Sequence, residues 1–370
     1  MIYNEIKHVL KQFRFEGEFV RAEEMHSGNI NNTYHLIYDL GGGENREYIL
    51  QQINTYAFKK PEEVMSNVYR VTDHLTRAYQ RQGGDPSRRV LQLIETKSRG
   101  WMYRDEKDRC WRAYYFITNA IAHDRAESPR HFMEAGRAFG NFQKMLFDFP
   151  AEELYDTIPD FHNTRKRFYT FVAAVAEDKA DRVKKLEKEI DFFFDRRKMM
   201  SQIVEMIDRG ELPLRVTHND TKMNNVMLDA ETGKGLCVID LDTVMAGSVL
   251  YDYGDAIRFG ASTAAEDEAD LSKISMDFEL FKAFTQGFVS QINGSLTDTE
   301  MRMLPLGVKV ITCELAMRFL TDYIDGDLYF KVRSPEHNLI RARAQMKLLE
   351  DIEAKYDDMC AYIEEMIAKN

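Results

Sequence analysis

Eight consecutive residues, His218-Asn219-Asp220-Thr221-Lys222-Met223-Asn224-Asn225, set a carboxylate and a carboxamide in an H-x-D-x-x-x-x-N pattern. Fifteen residues after Asn225 stands Asp240, within the apolar run Val238-Ile239-Asp240-Leu241-Asp242. The first pattern alone arises by chance in some chains of this size, but the two in this order, each beside a β-rich run, are specific. The residue types suit transfer of a phosphoryl group. An acceptor hydroxyl must be held in line with the phosphorus by a group that only accepts hydrogen bonds, and the charge of a triphosphate must be offset by Mg²⁺ bound through hard oxygens. Asp220 suits the first task. Asn225 and Asp240, converging from two adjacent strand ends, suit the second.

The neighbours read differently. His218 has no chemical step in such a scheme and is expected to pack and orient the loop backbone. Asp242 lies on the same strand face as Asp240, where it could touch a second metal ion or the acceptor, or support its neighbours from behind. Asp252, in Tyr251-Asp252-Tyr253-Gly254-Asp255, is expected to cap a helix or brace the loop and is left out of the catalytic set.

These residues need a frame. Residues 2–13 have apolar positions at helical spacing, after which 18–25, 32–40 and 46–54 read as strands of an antiparallel meander, with the glycines of LGGGEN as a plain turn. A helix with proline in its first turn starts near Pro61, and two more strands follow near 98–104 and 109–117. Beyond Asn119 the pattern is mostly helical: 129–148, 162–176, a charged segment near 178–209 whose run 178–198 reads as the solvated face of a helix, then 266–292, 297–325 and 336–367. Only 212–220 and 235–242 interrupt it with β-rich runs. The expected fold is α+β and two-lobed, with a small antiparallel-sheet lobe at 1–118, a mostly helical lobe at 119–370, and the site between them.

Composition narrows the classes. With 370 residues, 50 Lys+Arg against 61 Asp+Glu, a net charge of −11 and 44% hydrophobic residues, this is a folded acidic chain, poorly suited to nucleic acid as principal partner. Cys110, Cys237, Cys313 and Cys360 are too far apart for CxxC chemistry and are expected to be buried thiols in a reducing compartment. No run approaches the ~18 apolar residues of a membrane span, and MIYNEIKHVLKQFRF has charges where a signal peptide needs an apolar core, so a cytoplasmic protein is expected.

The HxDxxxxN and I-D motifs resemble those of the aminoglycoside phosphotransferase and choline kinase superfamily, whose fold is similar to that of protein kinases. The resemblance covers nearly the whole chain. It implies Asp220 as catalytic base, Asn225 and Asp240 as magnesium ligands, and a small lobe that covers ATP. Longer blocks, YILQQIN (48–54), LRVTHNDTKMNNVMLDAETGK (214–234), VIDLDTVMAGSVLYDYGDAIRFGAS (238–262) and MRFLTDYIDGDLYF (317–330), look like the N-acetylhexosamine 1-kinases, which phosphorylate the anomeric hydroxyl of GlcNAc or GalNAc.

On the nucleotide side, Ser27 to Tyr34 resembles the superfamily's G-x-x-N-x-x-Y loop, so Gly28, Asn31, Asn32 and Thr33 are expected at the β- and γ-phosphates. The strand position that usually carries a cation for the α/β-phosphates falls at Gln51, which brings no charge; the metal and loop must suffice, another cation must substitute, or the protein only binds. Backbone groups around Tyr115, Phe116, Ile117 and Thr118 are expected beside adenine. For the sugar, Glu314, Arg318 and Asp322 recur at i, i+4 and i+8 on a helix otherwise apolar all round, which buries them. Buried ions need partners, so Arg318 is expected to reach a sugar or phosphate cavity with Glu314 or Asp322 holding it. Tyr329 and Phe259 are the aromatic candidates for the pyranose face. The resemblance thus implies a kinase of a small-molecule sugar substrate using ATP and Mg²⁺. A kinase of choline, homoserine or an aminoglycoside, or a nucleotide-binding pseudokinase, is the alternative; GlcNAc against GalNAc and the oligomeric state are left open.

Overall fold

The computed structural model describes residues 2–25, 31–292 and 294–369. Helix α1 (Ile2–Leu10) precedes strands β1 (Glu18–Met25), β2 (Asn32–Gly41) and β3 (Glu44–Ile53), then α2 (Pro61–Arg81), β4 (Tyr103–Arg104) and β5 (Cys110–Tyr115). The strands form one antiparallel sheet in the order β1-β2-β3-β5-β4. Alternation decides its two faces. Tyr34, Leu36, Tyr48, Leu50, Trp111 and Ala113 pack under Ile6, Val9 and Leu10 of α1, whereas Thr33, Gln51 and Arg112 stand in register across β2, β3 and β5 on the opposite face. Helix α2 lies on that second face with Val64, Val68, Val71 and Leu75 buried. Its Asn67 donates from one amide to the carbonyls of Tyr155 and Val244, at 2.8 and 2.9 Å, which ties the small lobe to the turn that follows Asp242.

The remainder is helical around two small sheets. Strand β6 (Ala120–Ala122) pairs with β8 (Val226–Asp229), which forms a hairpin with β9 (Gly235–Val238); β7 (Arg215–Thr217) pairs with β10 (Met245–Gly247). Around them lie α3 (Pro129–Met145), α4 (Thr164–Glu177), α5 (Glu187–Asp208), α6 (Val249–Gly260), α7 (Phe278–Ile292), α8 (Asp298–Asp325), α9 (His337–Ala354) and α10 (Tyr356–Ala368). Helix α6 was not foreseen as an element, and the helix expected from 266 begins only at Phe278. The chain between contains a 3-10 turn at 271–273 and charged side chains tied locally, as in the Ser272 bonds to Asp270. The long pattern at 336–367 is two helices that break at Lys355.

Helices α6 and α8 cross with backbones in contact. A Cβ at Gly254 would collide with the Gly307 carbonyl, and one at Gly307 with the Leu250 carbonyl, so both positions require glycine. At its start α8 has a Thr297/Glu300 capping box. The buried Glu300 also takes a bidentate pair from Arg215 of β7, at 2.7 and 2.8 Å. One helix therefore runs from the strand that carries the H-x-D motif to Arg318. Cys110, Cys237 and Cys313 are buried, Cys360 is half-buried, and all four are free. Among the described residues no helix is long and apolar enough to cross a membrane.

Candidate active site

Strand β7 delivers the chain into the H-x-D loop, and the loop is held from behind. His218 is fully buried; its Nε2 donates to the Ile239 carbonyl at 2.8 Å, which leaves Nδ1 to accept the Asp220 N–H at 3.3 Å. Asn219 adopts a left-handed backbone, φ 64°, and its amide donates to the Thr243 carbonyl at 2.8 Å. Asp252 on α6 accepts the N–H groups of His218 and Asn219 and the Gln143 amide, each at 2.8 Å. Burial pushes the Asp252 carboxyl above its ordinary value, and these donors with the nearby His218 oppose that push. His218 orients the loop and Asp252 braces it, as the sequence suggested.

Asp220 emerges from this support partly open to solvent. Asn225 donates its amide to the Asp220 carbonyl at 2.7 Å and to Asp220 Oδ2 at 3.0 Å, so its nitrogen and not its oxygen faces Asp220. The β8–β9 hairpin then fixes the third member. Val226 pairs with Val238, and the Ile239 N–H bonds the Asn225 carbonyl at 2.9 Å, so Asp240 follows immediately beside Asn225. Asp240 also has a left-handed backbone, φ 59°. Such conformations cost energy in residues other than glycine and concentrate at functional sites. Asp240 remains open on one side, but protein packed around the rest of it, together with the charges of Asp242 and Asp220, pushes its carboxyl up to about 6.

Lys222 was quoted in the motif but given no role. Its Nζ lies 2.8 Å from Asp220 Oδ1. Burial works against its charge, yet Asp220 and Asp255 outweigh that and raise it above its ordinary value. The signal was its place two residues past Asp220, which brings a flexible cation back over the carboxylate. Asp255 also accepts the Thr221 N–H at 3.2 Å and pairs with the buried Arg258.

On the nucleotide side, Gly28 lies outside the described residues. Asn31 accepts the Asn54 N–H at 2.9 Å and donates to Asp242 Oδ2 at 2.8 Å, so it joins the two lobes. Asn32 is exposed at the start of β2. Thr33 accepts from the Gln51 amide at 3.1 Å, and Gln51 Oε1 accepts from Arg112 Nε at 3.0 Å. Arg112 in turn pairs with Asp242, so both Asp242 oxygens serve protein partners. Of the roles considered for Asp242, support of its neighbours is the one these contacts fill. Phe116 packs against His35 with ring centroids 4.5 Å apart and planes tilted by 34°, while the N–H groups of Tyr115 and Phe116 bond the Gln92 and Glu47 carbonyls. The exposed Thr118 has its carbonyl engaged by Arg88 at 3.2 Å.

On the acceptor side, Glu314 is the nearer carboxylate to Arg318, with Nη1 to Oε1 at 3.8 Å, an ion pair beyond hydrogen-bond reach, and Glu314 Oε2 is bonded to His162 at 2.9 Å. The Arg318 guanidinium is surrounded by Phe161, Phe330 and Tyr329, with centroids at 5.3, 5.6 and 5.8 Å. Tyr329 is 67% exposed and free to meet a ligand. Asp322 corrects the expectation. Its oxygens accept from the N–H groups of Leu328, Tyr329 and Phe330 and from the Asn338 amide, at 2.7 to 2.9 Å, so it shapes the loop that carries Tyr329 and has no oxygen left for a sugar. Phe259 sits half-buried at the end of α6 beside Arg258, 5.9 Å from its guanidinium carbon.

Two concavities of about 260 and 700 Å³ open elsewhere, beside Tyr79, Arg89, Lys234 and Leu236, and neither is lined by Asp220, Asn225 or Asp240. Chemistry, not volume, locates the site. The fold is shared with solved structures at low identity. A microcompartment-associated aminopropanol kinase matches at TM-score 0.61 with 14% identity, covering 96% of this chain and 98% of that one. An aminoglycoside phosphotransferase from Alicyclobacillus acidocaldarius matches at 0.59 with 13% identity over 97% and 96%. A choline kinase from Cryptosporidium parvum matches at 0.59 with 12% identity over 97% and 98%. The family model for the phosphotransferase enzyme family matches residues 21–277, a span that contains the loop, the hairpin and the small-lobe sheet from Arg21 of β1 onward. On that match the chain belongs to the phosphotransferase enzyme family.

Proposed function

We propose that the chain is an ATP- and Mg²⁺-dependent kinase of N-acetylhexosamines, acting on the anomeric C1 hydroxyl. The observation that carries the kinase chemistry is that Asn225 is hydrogen-bonded to Asp220 and takes the Ile239 N–H on its carbonyl, which sets Asp240 next to that pair. Asp220 orients the C1 hydroxyl; its oxygen attacks the γ-phosphorus, the bond to the β-phosphate oxygen breaks, and Asp220 accepts the proton. Sugar 1-phosphate and ADP result. The Asn225 oxygen and the Asp240 carboxylate fit Mg²⁺, an ion that takes one or two protein carboxylates beside phosphate and water oxygens. Bound there, Mg²⁺ neutralises charge on the phosphates.

The small lobe, divided from the helical one near 118–119, is proposed to cover ATP through Asn31, Asn32, Thr33, Gln51 and Phe116. The sugar is assigned to Arg318, Tyr329 and Phe259. The motif blocks resembling the N-acetylhexosamine 1-kinases support this acceptor, as does a guanidinium set among three aromatic rings, which offers donors for hydroxyl or acetamide oxygens and flat apolar faces for a pyranose.

The test is ADP release with ATP and Mg²⁺ against GlcNAc, GalNAc, their 1-O-methyl glycosides, choline, homoserine and kanamycin. Turnover of the free sugars, with none of the glycosides, is expected. Activity on another acceptor keeps the metal site and discards the sugar assignment; silence on the whole plate, with nucleotide still bound, discards the kinase reading.

A further inference from the structure

Arg112 is the feature that the reading above does not use. Its side chain is 1% exposed, although a guanidinium is costly to take out of water. It stands on the cleft-facing side of the sheet, directly across from Gln51 in the β3–β5 register. Its Nε donates to Gln51 Oε1 at 3.0 Å, and its Nη1 pairs with Oδ1 of Asp242, two residues past Asp240. The contacts run on in both directions. Gln51 reaches Thr33 at 3.1 Å, and Asp242 reaches Asn31 at 2.8 Å. Roof strands β2, β3 and β5 are thereby bonded to the turn that presents Asp240.

Electrostatics gives this arrangement a purpose. Asn225 bonds Asp220, its carbonyl takes the Ile239 N–H that precedes Asp240, and Asp242 follows two residues on; a polyphosphate brought to these carboxylates adds more negative charge than one Mg²⁺ offsets. Gln51 contributes no charge from its strand. Arg112 contributes one from the next strand, at the same height, and Asp242 fixes its direction. Buried ion pairs give little net stability over apolar packing, so a pair kept here points to a task other than holding the fold.

We propose that Arg112 is a positioning residue of the nucleotide site: paired with Asp242 and aligned by Gln51, it supplies the positive charge that Gln51 lacks and sets affinity for a nucleoside di- or triphosphate with its divalent cation. The inference rests on the kinase reading. Its test measures MgADP and adenosine binding by calorimetry, with melting of the ligand-free protein as control. Arg112→Gln/Asp242→Asn removes both charges and leaves no lone buried ion. It is expected to melt near the wild type, to bind MgADP at least about tenfold more weakly, and to bind adenosine within about twofold of it. Arg112→Lys, which keeps the charge, and Arg112→Gln/Gln51→Lys, which moves it to β3, are each expected to recover most of the MgADP affinity.

Unchanged MgADP binding by the neutral pair overturns the inference. So does equal weakening of adenosine and MgADP, or failure of both charge-keeping variants to recover affinity while they melt like the wild type. A wild-type protein that binds no MgADP overturns the kinase reading itself, a different result from variants that match a binding wild type.

Discussion

Asp252 on α6 accepts the N–H groups of two consecutive loop residues, His218 and Asn219, both at 2.8 Å, and so fixes the plane of the peptide that presents Asp220. The carboxylate is 2% exposed and accepts Gln143 as well, so its removal strands three donors. Asp252→Ala is expected to destabilise the protein by about 3–5 kcal/mol, the usual penalty for breaking a buried charged network. Chemical denaturation reads that loss. Asp252→Asn, which keeps the shape but can accept on one atom only, should fall between, and in both variants turnover should drop further than MgADP affinity.

Lys222 meets the opposite oxygen of Asp220 from the one Asn225 uses. Held 2.8 Å from the carboxylate proposed to orient the acceptor, Lys222 can stabilise negative charge that develops as the phosphoryl group moves. Lys222→Met is expected to lower kcat about 10- to 100-fold with MgADP affinity little changed, and Lys222→Arg to retain part of the rate. Steady-state kinetics beside calorimetry separates these. An affinity loss equal to the rate loss would instead make Lys222 a ground-state phosphate contact.

The motif itself was legible because its chemistry is local: five positions separate Asp220 from Asn225, and a hairpin of ordinary length returns Asp240 to it. The small-lobe meander was legible because alternation reports a half-buried sheet. Arg112 was not. Its partner Asp242 is 130 residues away, and within RCWRAYYFI it looks like one charge in a strand; only the register opposite Gln51 shows where that charge goes. Asp322 and Glu314 share a helix face spacing, so periodicity could not say which holds Arg318 and which shapes the loop at 328–330. Helix α6 escaped notice because glycines and aspartates, Gly254 among them, weaken its local signal, while its contact with Gly307 of α8 supplies what local preference lacks.

Asp105, remote from the site, gives a pH prediction. It is buried against α1 and β5, with the Arg109 N–H and guanidinium, the Trp111 indole at 3.1 Å and His8 at 3.4 Å directed at it. Burial pushes its carboxyl up, but these donors outweigh burial and hold it well below the usual carboxylate range. A depressed native pKa means stability that is fully present above the unfolded value of about 3.9 and is lost as pH falls below it toward the native value. Asp105→Asn should therefore be less stable than wild type by about 1.5–3 kcal/mol at pH 7, with the gap narrowing below about pH 4. Urea unfolding across pH 3–7 measures it; a gap independent of pH would assign the effect to shape alone.

Gly254→Ala tests the contact of α6 and α8. The added methyl meets the Gly307 carbonyl, a backbone atom that cannot swing aside, so the helices must separate. A loss of about 1–3 kcal/mol is expected. Because α6 carries Asp252 and α8 carries Arg318, acceptor KM should rise together with the fall in melting temperature.

Asp322 should affect the acceptor and leave the nucleotide alone. Its two oxygens gather the N–H groups of Leu328, Tyr329 and Phe330, and the last two residues supply rings beside Arg318. Asn338 approaches the same carboxylate from α9 at 2.8 Å, so the loop is fixed to the helical lobe and not to the small one. Without Asp322 three backbone donors lose their acceptor, and the exposed Tyr329 loses its direction. Asp322→Ala is expected to raise acceptor KM at least about tenfold, the order set by misplacing a binding group, with the MgADP dissociation constant unchanged. Asn338→Ala, which removes one donor and keeps the carboxylate, should give a smaller rise in the same parameter. Equal changes in nucleotide and acceptor affinity would show that the loop supports the whole cleft and would remove Tyr329 from the acceptor site.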